Sequence, residues 1–290
     1  MLGVESLILS SSWWLIRGTY LSLFTVDERC VRCGACAEEC PVKVIVAKVD
    51  EIPIPTSNAD KLCLNCGHCV AVCPQGALTH RSMDPKRCQS VSPGLLLSVA
   101  QVEHLLKTRR SIRSFLAKPV PAETLKRIIE TASYAPTGQN SQAVKWMVID
   151  DRRKVGRLAG MTIDWMKSTL KDDPEMAKRV KAATWVGNWN RGFDTITWGA
   201  PHVVVAYAEG TRWEEECKIA LTFLDLAAYS EGIGACWGGL FNLAASLWAP
   251  MRESLGLPEG HSPFGAMMLG YPKNRFYRIP LRMEPNIVWK

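Results

Sequence analysis

Between residues 30 and 73 one cysteine spacing is written twice. Cys30-x-x-Cys33-x-x-Cys36-x-x-x-Cys40-Pro41 is followed by Cys63-x-x-Cys66-x-x-Cys69-x-x-x-Cys73-Pro74. Eight of the 11 cysteines fall in this stretch. Thiols at such density belong to disulfides or to metal, and the spacing decides between them. A disulfide framework suits a small secreted chain, and nothing here signals secretion. Zinc sites use two CxxC pairs, with neither a third cysteine at the next step nor a trailing Cys-Pro.

The remaining reading is iron–sulfur, since this is the spacing of the bacterial two-cluster ferredoxins. Each 4Fe–4S cube needs four thiolates. Three close cysteines wrap one face of a cube, and the fourth reaches the other cluster. Cluster one is therefore expected on Cys30, Cys33, Cys36 and Cys73, and cluster two on Cys63, Cys66, Cys69 and Cys40. Residues 25–80 resemble the two-cluster ferredoxins. His68, inside the second motif, is expected at the surface or behind the ligands. Cys88, Cys217 and Cys236 stand apart and are expected to be buried or neutral.

Clusters of this kind pass single electrons, so the rest of the chain should supply an electron partner. The formal charge of +7 lies wholly beyond residue 90, because residues 25–90 hold eight acidic and eight basic side chains. Three of those extra cations crowd into Arg109–Arg113, which suits a phosphate better than a nucleic-acid surface. Residues 1–24 read as a leader. Their longest uncharged run, Ser6–Ile16, is too short to span a membrane. The organisation expected is a leader over 1–24, a two-cluster domain with its linker over 25–90, and a larger domain over 91–290.

In the larger domain Val102–Arg109 and Ala122–Ser133 read as helices. The second carries Leu125, Ile128, Ile129 and Ala132 on one face. Val144–Ile149 and His202–Ala208 are β-branched runs and read as buried strands. Trp213–Gly232 and Leu240–Leu255 read as helices, and Ala266–Gly270 as a last strand. The fold class expected is α+β, with helices covering a sheet.

Three segments carry the chemistry of this domain. Arg109-Arg110-Ser111-Ile112-Arg113 offers guanidinium forks and a hydroxyl, a set suited to a phosphate monoester. Tyr134-Ala135-Pro136-Thr137-Gly138-Gln139-Asn140-Ser141-Gln142 is a polar loop between an amphipathic helix and a strand. Gly232-Ile233-Gly234-Ala235-Cys236-Trp237-Gly238-Gly239 follows the long helix. The glycines tempt a dinucleotide reading, but that motif must follow a strand, and its third glycine would stand one place earlier.

In this order, and with Ala200-Pro201 before a strand and Leu269-Gly270-Tyr271-Pro272 before a basic tail, the segments resemble the nitroreductase family of FMN-dependent oxidoreductases over residues 98–290. That resemblance implies a mostly antiparallel sheet covered by helices, in an intertwined homodimer with FMN at its interface. It also implies roles. Arg109, Arg110 and Ser111 would hold the FMN phosphate, and Arg113 would lie near the pyrimidine edge. Pro136, Thr137, Gly138, Asn140 and Gln142 would contact ring and ribityl chain, with Thr137 hydrogen-bonding flavin or substrate. Trp237, Gly238 and Gly239 would present backbone amides near the hydride-carrying edge. Arg278 and Arg282 both stand as the late arginine that completes the phosphate site.

The expected activity follows from these parts. Electrons enter two 4Fe–4S clusters singly, collect on FMN and leave as hydride to a small organic acceptor such as a nitroaromatic, quinone or activated alkene. The donor is reduced ferredoxin or NAD(P)H, and the location is cytoplasmic, with no nucleic-acid partner and no membrane span. The competing expectation is an electron-transfer protein that relays charge between redox partners without a substrate of its own. No histidine falls in a flavin motif, so His80, His104, His202 and His261 are expected to be structural or exposed.

Overall fold

A computed structural model describes residues 22–290. Most of the stretch read as a leader, residues 1–21, lies outside the described residues. The chain divides into two compact units that meet between Pro93 and Gly94.

The first unit is a near-symmetric duplication. It runs β1 (Phe24–Val26), α1 (Ala35–Glu38), β2 (Ile45–Val46), β3 (Ile54–Pro55), α2 (Ala59–Leu62), α3 (His68–Ala71) and β4 (Leu78–His80). β1 pairs antiparallel with β4, and β2 with β3. Left-handed backbone recurs 33 residues apart, at Arg32 and Asn65, Gly34 and Gly67, and Lys43 and Gly76. The same three turns thus wrap both cysteine motifs. Leu23, Phe24, Val44, Ile45, Val70 and Leu78 form the small apolar centre.

The second unit begins with α4 (Val99–Thr108), α5 (Ala122–Ala132), β5 (Lys145–Ile149), α6 (Arg152–Asp172), α7 (Pro174–Arg179) and α8 (Ala182–Asn190). It continues with β6 (His202–Glu209), α9 (Glu214–Ser230), β7 (Gly234–Trp237), α10 (Gly239–Leu247), α11 (Ala249–Leu255) and β8 (His261–Gly270). The four strands form an antiparallel sheet in the order β5-β6-β8-β7.

Side-chain alternation explains the layers. Val203 and Val205 of β6, with Ala266 and Met268 of β8, pack beneath Leu158, Ile163 and Met166 of α6 and Phe241 of α10. Their neighbours Val204, Ala206, Met267 and Leu269 face Leu125 and Ile128 of α5 and Leu221 and Leu224 of α9. The central strands are therefore buried on both faces, which is why Val203–Ala206 is apolar without a break.

The glycine-rich run after α9 holds a strand that the sequence does not announce: β7 runs through Gly234–Trp237 and pairs with β8. One expectation is corrected. The helix expected over Leu240–Leu255 breaks at Trp248, whose extended backbone (φ −117°, ψ 116°) ends α10. Pro250 then opens α11 in its first turn, where a missing N–H costs nothing.

Candidate functional site

The eight cysteines close on two separate cavities. Cys30, Cys33, Cys36 and Cys73 line one. Cys40, Cys63, Cys66 and Cys69 line the other, together with His68 and His80. All eight are free thiols. Among the described residues no three His, Cys, Asp or Glu side chains converge closely enough for a single ion. Burial, chiefly, pushes the Cys69 thiol up to about 11 and the Cys36 thiol upward as well. Such thiols need a metal charge to remain thiolate. Backbone N–H groups of Arg32, Val44, Asn65 and Ala77 donate to the sulfurs of Cys30, Cys40, Cys63 and Cys73 at 3.3–3.4 Å. Among the other cysteines Cys217 and Cys236 are buried, and Cys88 is exposed.

The second unit holds a cleft of about 1060 Å³. Arg109, Arg110, Asp225, Arg275, Phe276 and Arg278 are among the residues that line it. The segment that positions these arginines is clamped to the sheet edge: Ser111 bridges Ala235 of β7, and the Ile112 N–H donates to Ala235 O at 2.9 Å. Gly234 makes that approach feasible, since a Cβ there would lie 2.5 Å from the Ile112 side chain. Arg109 Nη1 donates to Asp225 Oδ2 at 2.9 Å. Burial lifts the Asp225 carboxyl, and the neighbouring Arg109 charge opposes that lift. Arg110 lies 6.0 Å from the Phe276 ring centre. Arg278 faces the cleft, while Arg282 is not in its lining.

The other expected contacts do not join this group. Residues 134–142 lead into β5, at the opposite edge of the sheet from β7. Three strand spacings separate those edges, about 14 Å. Thr137 Oγ1 accepts the Gln142 N–H at 3.1 Å. The Gly138 N–H reaches Glu216 Oε1 at 3.4 Å. Gln139, Asn140 and Gln142 hold left-handed backbone, and Ser141 Oγ is buried without a hydrogen-bond partner. The loop is thus a shaped, polar feature with its own unfilled bond. The Gly238 N–H donates to Ala266 O at 2.8 Å, so the expectation that it points at a flavin is corrected: the sheet uses it. Trp237 is partly exposed at the end of β7 and Gly239 opens α10. Pro136, Arg113 and Arg282 are solvent-exposed.

Sequence reasoning missed Asp225, Arg275 and His80. Asp225 lies on the buried face of α9 among aliphatic residues, and an acid at such a position is itself a signal for a cationic partner.

Comparison with known proteins completes the picture. Residues 106–271 match the Nitroreductase family and residues 29–78 the 4Fe-4S dicluster domain. A protein of Archaeoglobus fulgidus, provisionally named NADH dehydrogenase/NAD(P)H nitroreductase, is 27% identical over 186 residues, 63% of this chain and 92% of its own. Nitroreductase NfnB of Mycolicibacterium smegmatis is 27% identical over 206 residues, 61% of this chain and 86% of its own. A Bacteroides fragilis nitroreductase crystallised with bound FMN shares the fold at a TM-score of 0.52 and 23% identity, over 66% of this chain and 99% of that one. The chain belongs to the nitroreductase family and carries a 4Fe–4S dicluster domain ahead of the family fold.

Proposed function

We propose that this protein is an FMN-dependent oxidoreductase that feeds electrons through two 4Fe–4S clusters to FMN and reduces a small organic acceptor, a nitroaromatic, quinone or activated alkene. The observation that carries the flavin reading is the cleft with Arg109, Arg110 and Arg278 on its wall. Its size and cationic wall fit a mononucleotide. The cofactors supply the electron chemistry: clusters carry single electrons, and FMN stores two and delivers them as hydride.

The protein's own residues do the rest. Arg109, Arg110 and Arg278 bind the phosphate, and Asp225 fixes the fork of Arg109. Arg113, Arg275 and Arg282 add positive field around the cleft. Cys30, Cys33, Cys36 and Cys73 hold one cube, and Cys63, Cys66, Cys69 and Cys40 hold the other.

The working unit is a homodimer. Within one chain the arginine cleft and the loop of Pro136, Thr137, Gly138, Asn140 and Gln142 stand at opposite sheet edges, so a second copy brings its loop to the cleft of the first. Two features support that pairing. α4 buries none of its residues in its own chain. The tail beyond Tyr277 exposes Leu281, Met283, Ile287, Val288 and Trp289, an apolar strip that needs a covering surface.

The donor is reduced ferredoxin or NAD(P)H. Among the described residues no helix is long and apolar enough to cross a membrane. Anaerobic purification with iron, sulfide and flavin analysis tests this reading, followed by stopped-flow reduction with ferredoxin and NADH and a screen of acceptors. The expected result is two cubes and one FMN per chain and turnover of at least one acceptor class. A preparation without flavin, or one whose reduced flavin no acceptor reoxidises, contradicts it.

A further inference from the structure

The two cysteine cavities are matched in backbone and unmatched in side chain. The N–H of Arg32 donates to Cys30 Sγ and that of Asn65 to Cys63 Sγ, both at 3.4 Å. Val44 and Ala77 serve Cys40 and Cys73 in the same way, at 3.4 and 3.3 Å. These pairs stand 33 residues apart, as the duplication requires. The symmetry fails at His80. Its ring Nε2 lies 3.5 Å from Cys63 Sγ. The residue 33 positions earlier is Ala47, which has no donor to offer.

The hydrogen bonds on the other side of the ring fix its tautomer. The Ser82 N–H donates to His80 Nδ1 at 3.1 Å, and Ser82 Oγ lies 2.8 Å from the same nitrogen. Nδ1 is therefore an acceptor and carries no proton. In a neutral imidazole the proton then sits on Nε2, aimed at the sulfur. The ring is held in place: His80 is 4% exposed, and its backbone exchanges hydrogen bonds with Met83 at 3.0 and 2.9 Å.

We propose that His80 is a potential-setting residue: its Nε2–H donates to the Cys63 thiolate and raises the reduction potential of the cluster held by Cys40, Cys63, Cys66 and Cys69, leaving the other cluster untouched. The inference rests on the assignment of the eight cysteines to two clusters. Its physical basis is charge. One-electron reduction makes or breaks no bond and adds one negative charge to cube and thiolates. A donor aimed at a ligand sulfur stabilises that added charge more than it stabilises the oxidised form. The consequence is a chain with two unequal electron sites built from one repeated motif.

The test is a redox titration of the reconstituted holoenzyme with dithionite, followed by electron paramagnetic resonance, in wild type, His80→Leu and His80→Gln. Iron and sulfide are assayed on the same samples, so loss of the clusters themselves is distinguished from loss of tuning. In His80→Leu one midpoint potential is expected to fall, with the reduced-to-oxidised ratio of that cluster down on the order of tenfold at fixed ambient potential, about 59 mV for one electron. The other potential stays, and His80→Gln, which keeps an N–H, recovers part of the shift. Two unchanged potentials, an equal shift in both, or a glutamine variant that behaves like leucine would overturn the proposal. Should His80→Leu fail to hold four irons at the second site, protein labelled with [15N]histidine decides. A weak nitrogen coupling on a reduced cluster, retained in His68→Gln, is expected, and its absence overturns the proposal.

Discussion

Arg109 and Asp225 stand 116 residues apart in sequence and meet at 2.9 Å across the floor of the cationic cleft. The carboxylate is 8% exposed and the guanidinium 29%. An acid beside the proposed phosphate site costs anion affinity by simple charge, so its presence asks for a reason. Asp225 occupies two donor directions of a five-donor fork at most and leaves the others to the cleft. It also holds the long Arg109 side chain in one conformation, which lowers the entropy lost when an anion binds.

Removing each arginine separates these roles. Arg109→Ala strands the Asp225 carboxylate and is expected to cost about 1–3 kcal/mol of stability at neutral pH, discounted from the full buried-pair penalty because Arg109 is partly exposed. The sign with pH follows from burial, which raises the folded-state carboxyl above its ordinary value. The orphaned acid is tolerated when protonated, so the loss shrinks toward acid pH and grows as pH rises. Arg110→Ala touches no buried partner. It should weaken FMN binding about as much as Arg109→Ala while leaving the thermal midpoint within a degree or so. Flavin titration and thermal melts of the two variants, run side by side, check this.

The approach of Ser111–Ile112 to β7 depends on a missing side chain. In Gly234→Ala the new methyl would sit 2.5 Å from one carbon of Ile112 and 2.9 Å from another. Overpacking of this kind costs about 1–3 kcal/mol. It should also push the arginine segment away from the sheet and reduce flavin content. Pairing it with Ile112→Gly, which removes both of these carbons, should restore flavin toward the level of Ile112→Gly alone. Gly234→Ala with normal stability and flavin content would show that this contact does not position the site.

His202 gives the second unit a built-in acid sensitivity. Its Nε2 accepts the Val120 N–H at 2.8 Å, and its Nδ1 has no partner. Burial lowers its pKa below the ordinary 6.5, with attraction from Asp150 acting the other way. A lowered folded-state value means the unfolded chain binds the proton first. The contribution to stability is therefore complete above pH 6.5 and lost as pH falls from there through the folded value. Thermal midpoints measured from pH 8 to pH 5 should fall more steeply in wild type than in His202→Gln. Parallel curves would remove His202 from the account.

What the sequence discloses here depends on how local the chemistry is. Eight cysteines at fixed short spacing can be read directly, because each motif places three of them on one cavity and its fourth on the other. The arginine run and the apolar face of α5 are equally local. The pairs that matter most to the site are not. Arg109 with Asp225, and His80 with Cys63, join residues far apart in the chain, and neither partner has a periodicity that names the other. β7 escapes notice because four residues rich in small side chains carry no strand signature until β8 pairs with them. The helix boundary at Trp248 is hidden for a similar reason: Pro250 marks a helix start as readily as a stop. α6, α7 and α8 fill residues 152–190, a stretch whose sequence announces no element, although α6 buries eight of its residues.

The proposed flavin site is assembled from two copies, with arginines from one and the 136–142 loop from the other. Complementation tests it directly. A variant with Arg109→Ala and Arg110→Ala is mixed under refolding or co-expression with one carrying Asn140→Ala and Gln142→Ala, and the mixed dimer is isolated by differential tags. Each parent homodimer should bind no FMN. The mixed dimer has one site with both lesions and one with none, so it should bind one FMN per dimer. A mixed dimer as empty as its parents would mean that arginines and loop serve the same chain's site, and would contradict the shared assembly.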